Sequence, residues 1–532
     1  MSFQTEFSTI ATRGMAVTPH HLACMTASSI LKQGGTAMEA TIAAAATLAV
    51  VNPAMNSIGG DGFWLIVPPH EEPFVIEACG ASGSLATEEF YKGFSKVPKR
   101  GPRSASTVAG TISGWQEALN YVSECGYSRL SVHQLLKDAI YYAENGYAIS
   151  ALEEADLTEY VKSETVSEDF KNTFMPNGTV PAVGEIFKQK QLAKTLKDLA
   201  ENGLNSFYTG NIAKLIAEDM KSVGMPITGE DLAKHSAVRK VPLRLAHEHG
   251  ELLNSPPPTQ GAVSLSILGI LDALKVQGQH EGVLIHTSVE ATKQAFILRE
   301  NITDPRDMKL NPDNLVKPAN IIKMAKNIDL NKTSKSGNCE GPGDTVWMGV
   351  MDDRGFNVSF IQSVYHPYGS GIVLPQTGIL WHNRGITFSL DKNHVRYIKP
   401  GKKPLHTLNP AAAKLKDGRI MVYGTRGGDG QPQTQAAIFH RYVVQDLNLQ
   451  MAVSAPRWLY GDTLDKDLVD VLRLEDRFSK DTLEYLKERG HVLDLMPAFS
   501  AKFGIAGALV RHVDGRLEGA FDPRGNGSAI GY

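Results

Sequence analysis

Gly341-Pro342-Gly343-Asp344-Thr345-Val346-Trp347-Met348-Gly349-Val350 is the stretch on which the fold of this 532-residue chain turns. Upstream, residues 326–344, through Thr333-Ser334-Lys335-Ser336-Gly337, carry almost nothing that could be buried. Downstream, Val346, Met348 and Val350 fall on one face of a predicted strand, and Asp352-Asp353-Arg354-Gly355 turns the chain toward Val358 and Phe360 on a returning strand. A polar linker running into a strand can be an ordinary junction. It can also be a processing site, because cutting before Thr345 leaves a hydroxyl and a free α-amine on one residue, a nucleophile that carries its own base.

Composition narrows the setting. With 42 % hydrophobic residues the chain can bury a large core, and 54 basic against 57 acidic residues show no net bias. No basic run with interleaved aromatics occurs, which argues against nucleic acid or an anionic membrane as partner. The start, Met1-Ser2-Phe3-Gln4-Thr5-Glu6, has neither a basic nor an apolar leader segment, so no secretory signal is expected. The longest apolar run, Ile42 to Val51, is too short to span a bilayer. Cys24, Cys79, Cys125 and Cys339 are scattered, with no CxxC and no histidine at ligand spacing, a pattern for a reducing compartment and against a disulfide framework or zinc site. A soluble, cytoplasmic globular protein is the expectation.

Along the chain, helices are predicted at 20–32, 37–51, 112–124, 131–145, 189–202, 211–223 and 286–300, the last behind the loop Pro256-Pro257-Pro258-Thr259-Gln260-Gly261. Gly59-Gly60-Asp61-Gly62 turns into a continuous apolar strand ending at Val67. The final third changes character, with hairpin signals at 352–355, 416–419 and 513–516. Helices concentrated in one part and antiparallel hairpins in the other predict an α+β protein of sheets covered by helices.

These motifs, in this order, resemble the γ-glutamyltransferase family of N-terminal-nucleophile hydrolases. The similarity runs through Gly34-Gly35-Thr36-Ala37, Ser57 to Phe63, Thr107-Val108-Ala109-Gly110, Pro256 to Gly261, His286 to Asp304-Pro305, Phe356-Asn357-Val358-Ser359, Gly369 to Val373, Pro400 to Leu405, Gly427-Gly428 and Asp522-Pro523-Arg524. The resemblance implies an αββα four-layer sandwich, made as a precursor that cuts itself once between Asp344 and Thr345. The products would be an α-subunit, 1–344, ending in a flexible linker, and a β-subunit, 345–532, paired as a heterodimer. It implies Thr345 as nucleophile, Ser363 as the supporting hydroxyl, and Gly427 and Gly428 as oxyanion donors, for which paired glycines suit because no Cβ blocks the backbone N–H groups. With the amine as base and backbone donors at the oxyanion, no metal and no cofactor are expected.

The chain departs from the family where a γ-glutamyl group would be held. The stretch that carries a carboxylate-binding arginine in the family reads Ile76-Glu77-Ala78-Cys79-Gly80-Ala81-Ser82, without arginine. An asparagine is replaced by Tyr365, ammonium-binding residues by Arg384 and Thr387, and a pair of serines by His406-Thr407. An ammonium beside Arg384 would be repelled. Asn383, Arg384, Tyr365, His406 and Thr407 are therefore expected to bind a small carboxylate-bearing amide. Asn383-Arg384-Gly385 with His406-Thr407 and Gly427 to Pro432 is most similar to the oxamate amidohydrolase branch, which converts oxamate to oxalate and ammonia in purine-derived nitrogen recovery. A γ-glutamyl hydrolase or transpeptidase, a cephalosporin (glutaryl) acylase-like enzyme, and an unprocessed small-anion binding protein remain as alternatives. Arg384 can also be a structural salt-bridge residue, and His382 and His406 structural histidines.

Overall fold

All seven residues of Asp61–Val67 are buried, which explains an apolar run without alternation: this strand lies inside a sheet covered on both faces. A computed structural model describes residues 7–127, 130–276, 280–334, 344–461 and 470–532 of the chain. Met1 to Glu6, Lys335 to Gly337, Cys339 and Gly341-Pro342-Gly343 lie outside the described residues.

Two seven-stranded antiparallel sheets form the centre. In spatial order the first holds Ser528–Gly531, Met15–Thr18, Asp344–Met351, Asn357–Tyr365, Asp61–Val67, Phe74–Ala78 and Val238–Lys240. The second holds Thr9–Ala11, Leu517–Phe521, Ala506–Arg511, Ile420–Thr425, Ala411–Leu415, Gly250–Asn254 and Leu243–His247. Alternation sends Trp347, Ile361, Phe63 and Leu65 of the first sheet against Val422, Leu509 and Ala412 of the second, making a dry layer between them. Met348, Val350, Phe360 and Ile66 point the other way, into the core with helices His21–Lys32, Ala37–Val51 and Thr111–Glu124. Met421, Tyr423 and Ala508 pack with helices Gly261–Ala273, Glu281–Arg299 and Gly430–Phe439 on the far side. Three apolar layers separate four structural ones, an αββα sandwich. No helix among the described residues is long and apolar enough to cross a membrane.

The three predicted hairpins close as antiparallel pairs. The predicted split between a helical part and a hairpin part does not hold for the sheets. Leu243–His247 and Gly250–Asn254 extend the second sheet through Ala411–Leu415; neither strand was predicted, because Arg244, His247 and Glu251 break the apolar pattern. The helix Gly261–Ala273 was also not anticipated, because almost every side chain is buried and no polar stripe marks a period. The helix predicted at 286–300 starts at Glu281. The polar stretch beginning at 326 is not bare linker either: Thr333 and Ser334 are held by Glu290, Lys293 and Arg489.

Candidate active site

Asp344 and Thr345 open a central strand at one end of the sandwich. Asp344 pairs with Tyr365 and Val346 with Gln362, so Thr345 faces two residues, Ser363 and Val364, across a β-bulge. Odd-numbered residues here point between the sheets, as Trp347 and Met351 do. Thr345 is buried, and its hydroxyl donates to Ser363 Oγ over 3.3 Å. Ser363 Oγ also accepts the Tyr365 N–H at 2.7 Å. Tyr365 itself sits at φ 81°, in the left-handed region that a bulky side chain rarely adopts.

The Tyr365 ring supports a guanidinium, with Arg384 Cζ 3.8 Å from the ring centroid. Arg384 opens the short turn Arg384–Thr387 and is 1 % exposed. One Nη donates to Thr407 Oγ1 at 3.3 Å, while Nε and the other Nη meet no acceptor among the described residues. Buried polar groups are normally paired, so two N–H directions left open on one buried fork mark a place for an anion. Burial pulls this guanidinium below its usual pKa, opposed by Tyr365 and Asp61.

Asp61, quoted above only as part of a glycine-rich turn, is the third member of the site. It is the register partner of Ser363. Its Oδ1 accepts the Gly110 N–H at 3.0 Å, and its Oδ2 lies 3.3 Å from His382 Nδ1 and 3.5 Å from His406 Nε2. Burial raises its pKa to about 7, against the charge of Arg384 and N–H bonds from Gly110 and Gly80. Burial also lowers His382 to about 3 and His406 well below the usual range, so both rings are neutral. His382 Nε2 faces the Thr107 carbonyl at 3.0 Å and must carry the hydrogen there. That leaves Nδ1 a lone pair turned toward Asp61, suited to a protonated carboxyl. The only sequence signal for Asp61 was an acidic residue in a turn that leads straight into a fully buried strand.

His406 packs against Phe63 with ring centroids 4.9 Å apart and planes tilted by 57°, and its ring is fully buried. Asn383 holds the turn that carries Arg384: its Oδ1 accepts the His366 N–H at 3.2 Å and its Nδ2 donates to the Lys99 carbonyl at 3.0 Å.

The paired glycines reach the same end of the sandwich from the opposite sheet. Gly424 lies against Trp347, so closely that a Cβ would stand 2.1 Å from Trp347 Cδ1. At the other end, Arg511, the partner of Ile420, donates to the Asp352 carbonyl at 2.7 Å and to Asn357 Oδ1 at 2.9 Å. The strands Asp344–Met351 and Ile420–Thr425 therefore run in opposite senses, and Gly427 and Gly428 emerge beside the start of the Thr345 strand. Gly427 at φ 123° and Gly428 at φ 50° make the turn, and among the described residues neither N–H donates to a protein group. Gln260 braces it: its Nε2 donates to the Gly428 and Thr407 carbonyls, both at 3.0 Å. The stretch Ile76–Ser82 offers no free cation, since buried Glu77 is paired with Lys240 at 2.6 Å and with Lys403.

A threonine at the head of a central strand, inside an αββα sandwich, is the arrangement of the N-terminal-nucleophile amide hydrolases. The chain belongs to the gamma-glutamyltranspeptidase family, whose model matches residues 23–532. It is 52 % identical over 526 residues to the oxamate amidohydrolase proenzyme of Klebsiella pneumoniae, covering 99 % of each chain. A glutathione hydrolase-like proenzyme of Bacillus subtilis is 36 % identical over 530 residues, covering 98 % of this chain and 99 % of that one. Among solved structures, cephalosporin acylase from Bacillus halodurans superposes with a TM-score of 0.91 at 31 % identity, covering 100 % of this chain and 98 % of that one.

Proposed function

We propose that the chain cuts itself between Asp344 and Thr345, giving segments 1–344 and 345–532, and then hydrolyses oxamate to oxalate and ammonia. In the precursor, Thr345 Oγ attacks the Asp344 carbonyl carbon, the C–N bond breaks, and the acyl group passes to oxygen. Water then cleaves that ester, leaving an Asp344 carboxylate and a Thr345 with free amine and hydroxyl. In the mature enzyme this amine, with an ordinary pKa of about 7.7–8.0, takes the hydroxyl proton as Oγ attacks the substrate carbonyl. The Gly427 and Gly428 N–H groups stabilise the oxyanion. Ammonia leaves with a proton, and water releases oxalate from the acyl-enzyme.

The observation that carries this reading is the buried Arg384 fork with two open N–H directions. It is linked to Thr345 through the Tyr365 ring and the Ser363 hydroxyl. A carboxylate on Arg384 orients a small amide toward Thr345, whereas the α-ammonium of a γ-glutamyl group would be repelled there. The Tyr365 ring, buried against Arg384, occupies room that a glutaryl chain would need. Retention of Thr345, Ser363 and the paired glycines speaks against an unprocessed binder, for which a denaturing gel of purified protein would show one band.

Ammonia release across oxamate, glutathione, glutamine and glutaryl amides tests the substrate. Oxamate is expected to turn over fastest, and faster release from glutathione would overturn the small-carboxylate reading.

A further inference from the structure

Glu290 and Lys293 lie one turn apart on the helix Glu281–Arg299, 2.6 Å from each other and only 2 % and 4 % exposed. A buried ion pair is tolerated when its remaining protons and lone pairs are satisfied, and here one dipeptide satisfies them. Lys293 Nζ donates to Thr333 Oγ1 and to the Ser334 carbonyl, each at 2.6 Å. Glu290 Oε1 accepts the Thr333 hydroxyl at 2.8 Å, and Oε2 accepts the Ser334 N–H at 3.1 Å and hydroxyl at 2.6 Å. The Thr333 N–H donates to the Arg489 carbonyl at 2.8 Å. Both hydroxyls and both N–H groups of Thr333-Ser334 are thus engaged, by groups buried in the body of the protein.

His286, Glu290 and His491 also bring ligand atoms within 4.8 Å of one another, a set that in isolation suits a divalent cation. The cation that Glu290 already holds is the Lys293 ammonium, and both carboxylate oxygens are turned to the dipeptide. The cluster is built to hold peptide.

We propose that Glu290 and Lys293 form a docking site for the Thr333-Ser334 dipeptide that positions the chain for cleavage before Thr345. The inference rests on the self-cleavage reading above. Behind the helix Pro318–Ala325 the chain is already held at Asp329, whose carbonyl faces His286 Nε2 at 2.9 Å, and at Leu330, whose carbonyl accepts from Arg489 Nε at 3.2 Å. Thr333-Ser334 is the next fixed point and, among the described residues, the last before the strand that opens at Asp344. After the cut, the bond from Thr333 to Arg489 joins the two fragments.

The test follows processing of freshly made protein on denaturing gels. A T333V/S334A double variant, altered only where the chain is partly exposed, is expected to process more slowly than the wild type. Its melting temperature should fall only slightly, because the Ser334 carbonyl and N–H still meet the buried pair, and its kcat/KM once processed should match the wild type. A T333S/S334T variant keeps both hydroxyls and should restore the rate. Processing of T333V/S334A at the wild-type rate overturns the proposal. So does slow processing that tracks a lowered melting temperature and is not rescued by T333S/S334T. A wild type that is not cut before Thr345 overturns the self-cleavage reading instead. Hydrogen exchange provides a second measure: the Thr333 and Ser334 amides should be protected in processed wild type and released in E290Q, and free exchange in wild type again overturns the docking site.

Discussion

Replacing Thr345 by alanine leaves no oxygen to attack the Asp344 carbonyl. T345A is therefore expected to remain a single 57.8 kDa chain without amidase activity, while mass spectrometry of wild type should find a fragment beginning Thr345-Val346-Trp347. Arg384 separates binding from processing. R384A should still be cut, because processing uses Thr345, its neighbours and the oxyanion donors, yet kcat/KM for oxamate should fall by about 2–4 kcal/mol in transition-state terms. R384K should rescue little, since a point charge cannot reproduce the fork. Asp61 supplies a pH dependence. Its carboxyl is neutral below about 7 and charged above, and the anion then competes with the substrate for the field of Arg384. KM for oxamate is expected to rise as pH passes 7, and D61N should flatten that rise. A KM profile identical in D61N would show that Asp61 does not reach the substrate site.

At the scale of elements, the contact of Trp347 with Gly424 and Gly507 sets how closely the two sheets approach. A methyl group at Gly424 has no room. G424A is expected to lose about 1–3 kcal/mol by overpacking, read as a lower denaturation midpoint, and to slow both processing and turnover because Trp347 and Thr345 share a strand. Normal processing in a destabilised G424A would show that the approach of the sheets does not govern the site. Elements with a clear period or turn were legible beforehand: the strand at Val346, Met348 and Val350, the three hairpins, and the capped helix Ala37–Val51. Those that lacked one were not. Gly261–Ala273 is buried all round, and Leu243–His247 shows charged residues because it closes a sheet edge.

For the whole molecule, both sheets are built from strands on either side of Asp344–Thr345. Asn357–Tyr365 is hydrogen-bonded to Asp61–Val67, and Gly250–Asn254 to Ala411–Leu415. The two fragments are expected to elute together under native conditions and part only in denaturant. Separation in plain buffer would contradict the interleaved sheets. Acid should weaken the assembly. Burial lowers His20, His235, His382 and His491 to about 3 in the folded state, against about 6.5 when unfolded. Between those values the unfolded chain binds more protons, so stability falls as pH falls below 6.5. Asp61, holding a proton up to about pH 7, runs oppositely, as do Glu153, Asp219 and Asp352, whose pKa burial raises, but these carboxyls do not offset the histidines. Melting temperature should drop by several degrees from pH 7 to pH 5.

The sequence by itself determined the layered α+β class, and its resemblance to the family pointed to Thr345, Ser363 and Gly427-Gly428 and to the missing arginine in Ile76–Ser82. These are matters of local period, turn chemistry and ordered motifs, which survive in one dimension. Only the tertiary structure decided that Asp61 belongs with Arg384, His382 and His406, that Asn383 spends its amide on the backbone, that Gln260 ties the glycine turn to Thr407, and that Thr333-Ser334 is held. Each of these depends on partners distant along the chain meeting in a space closed to water. Burial there moves pKa values and leaves hydrogen-bonding groups open or spent, which no spacing along the chain encodes.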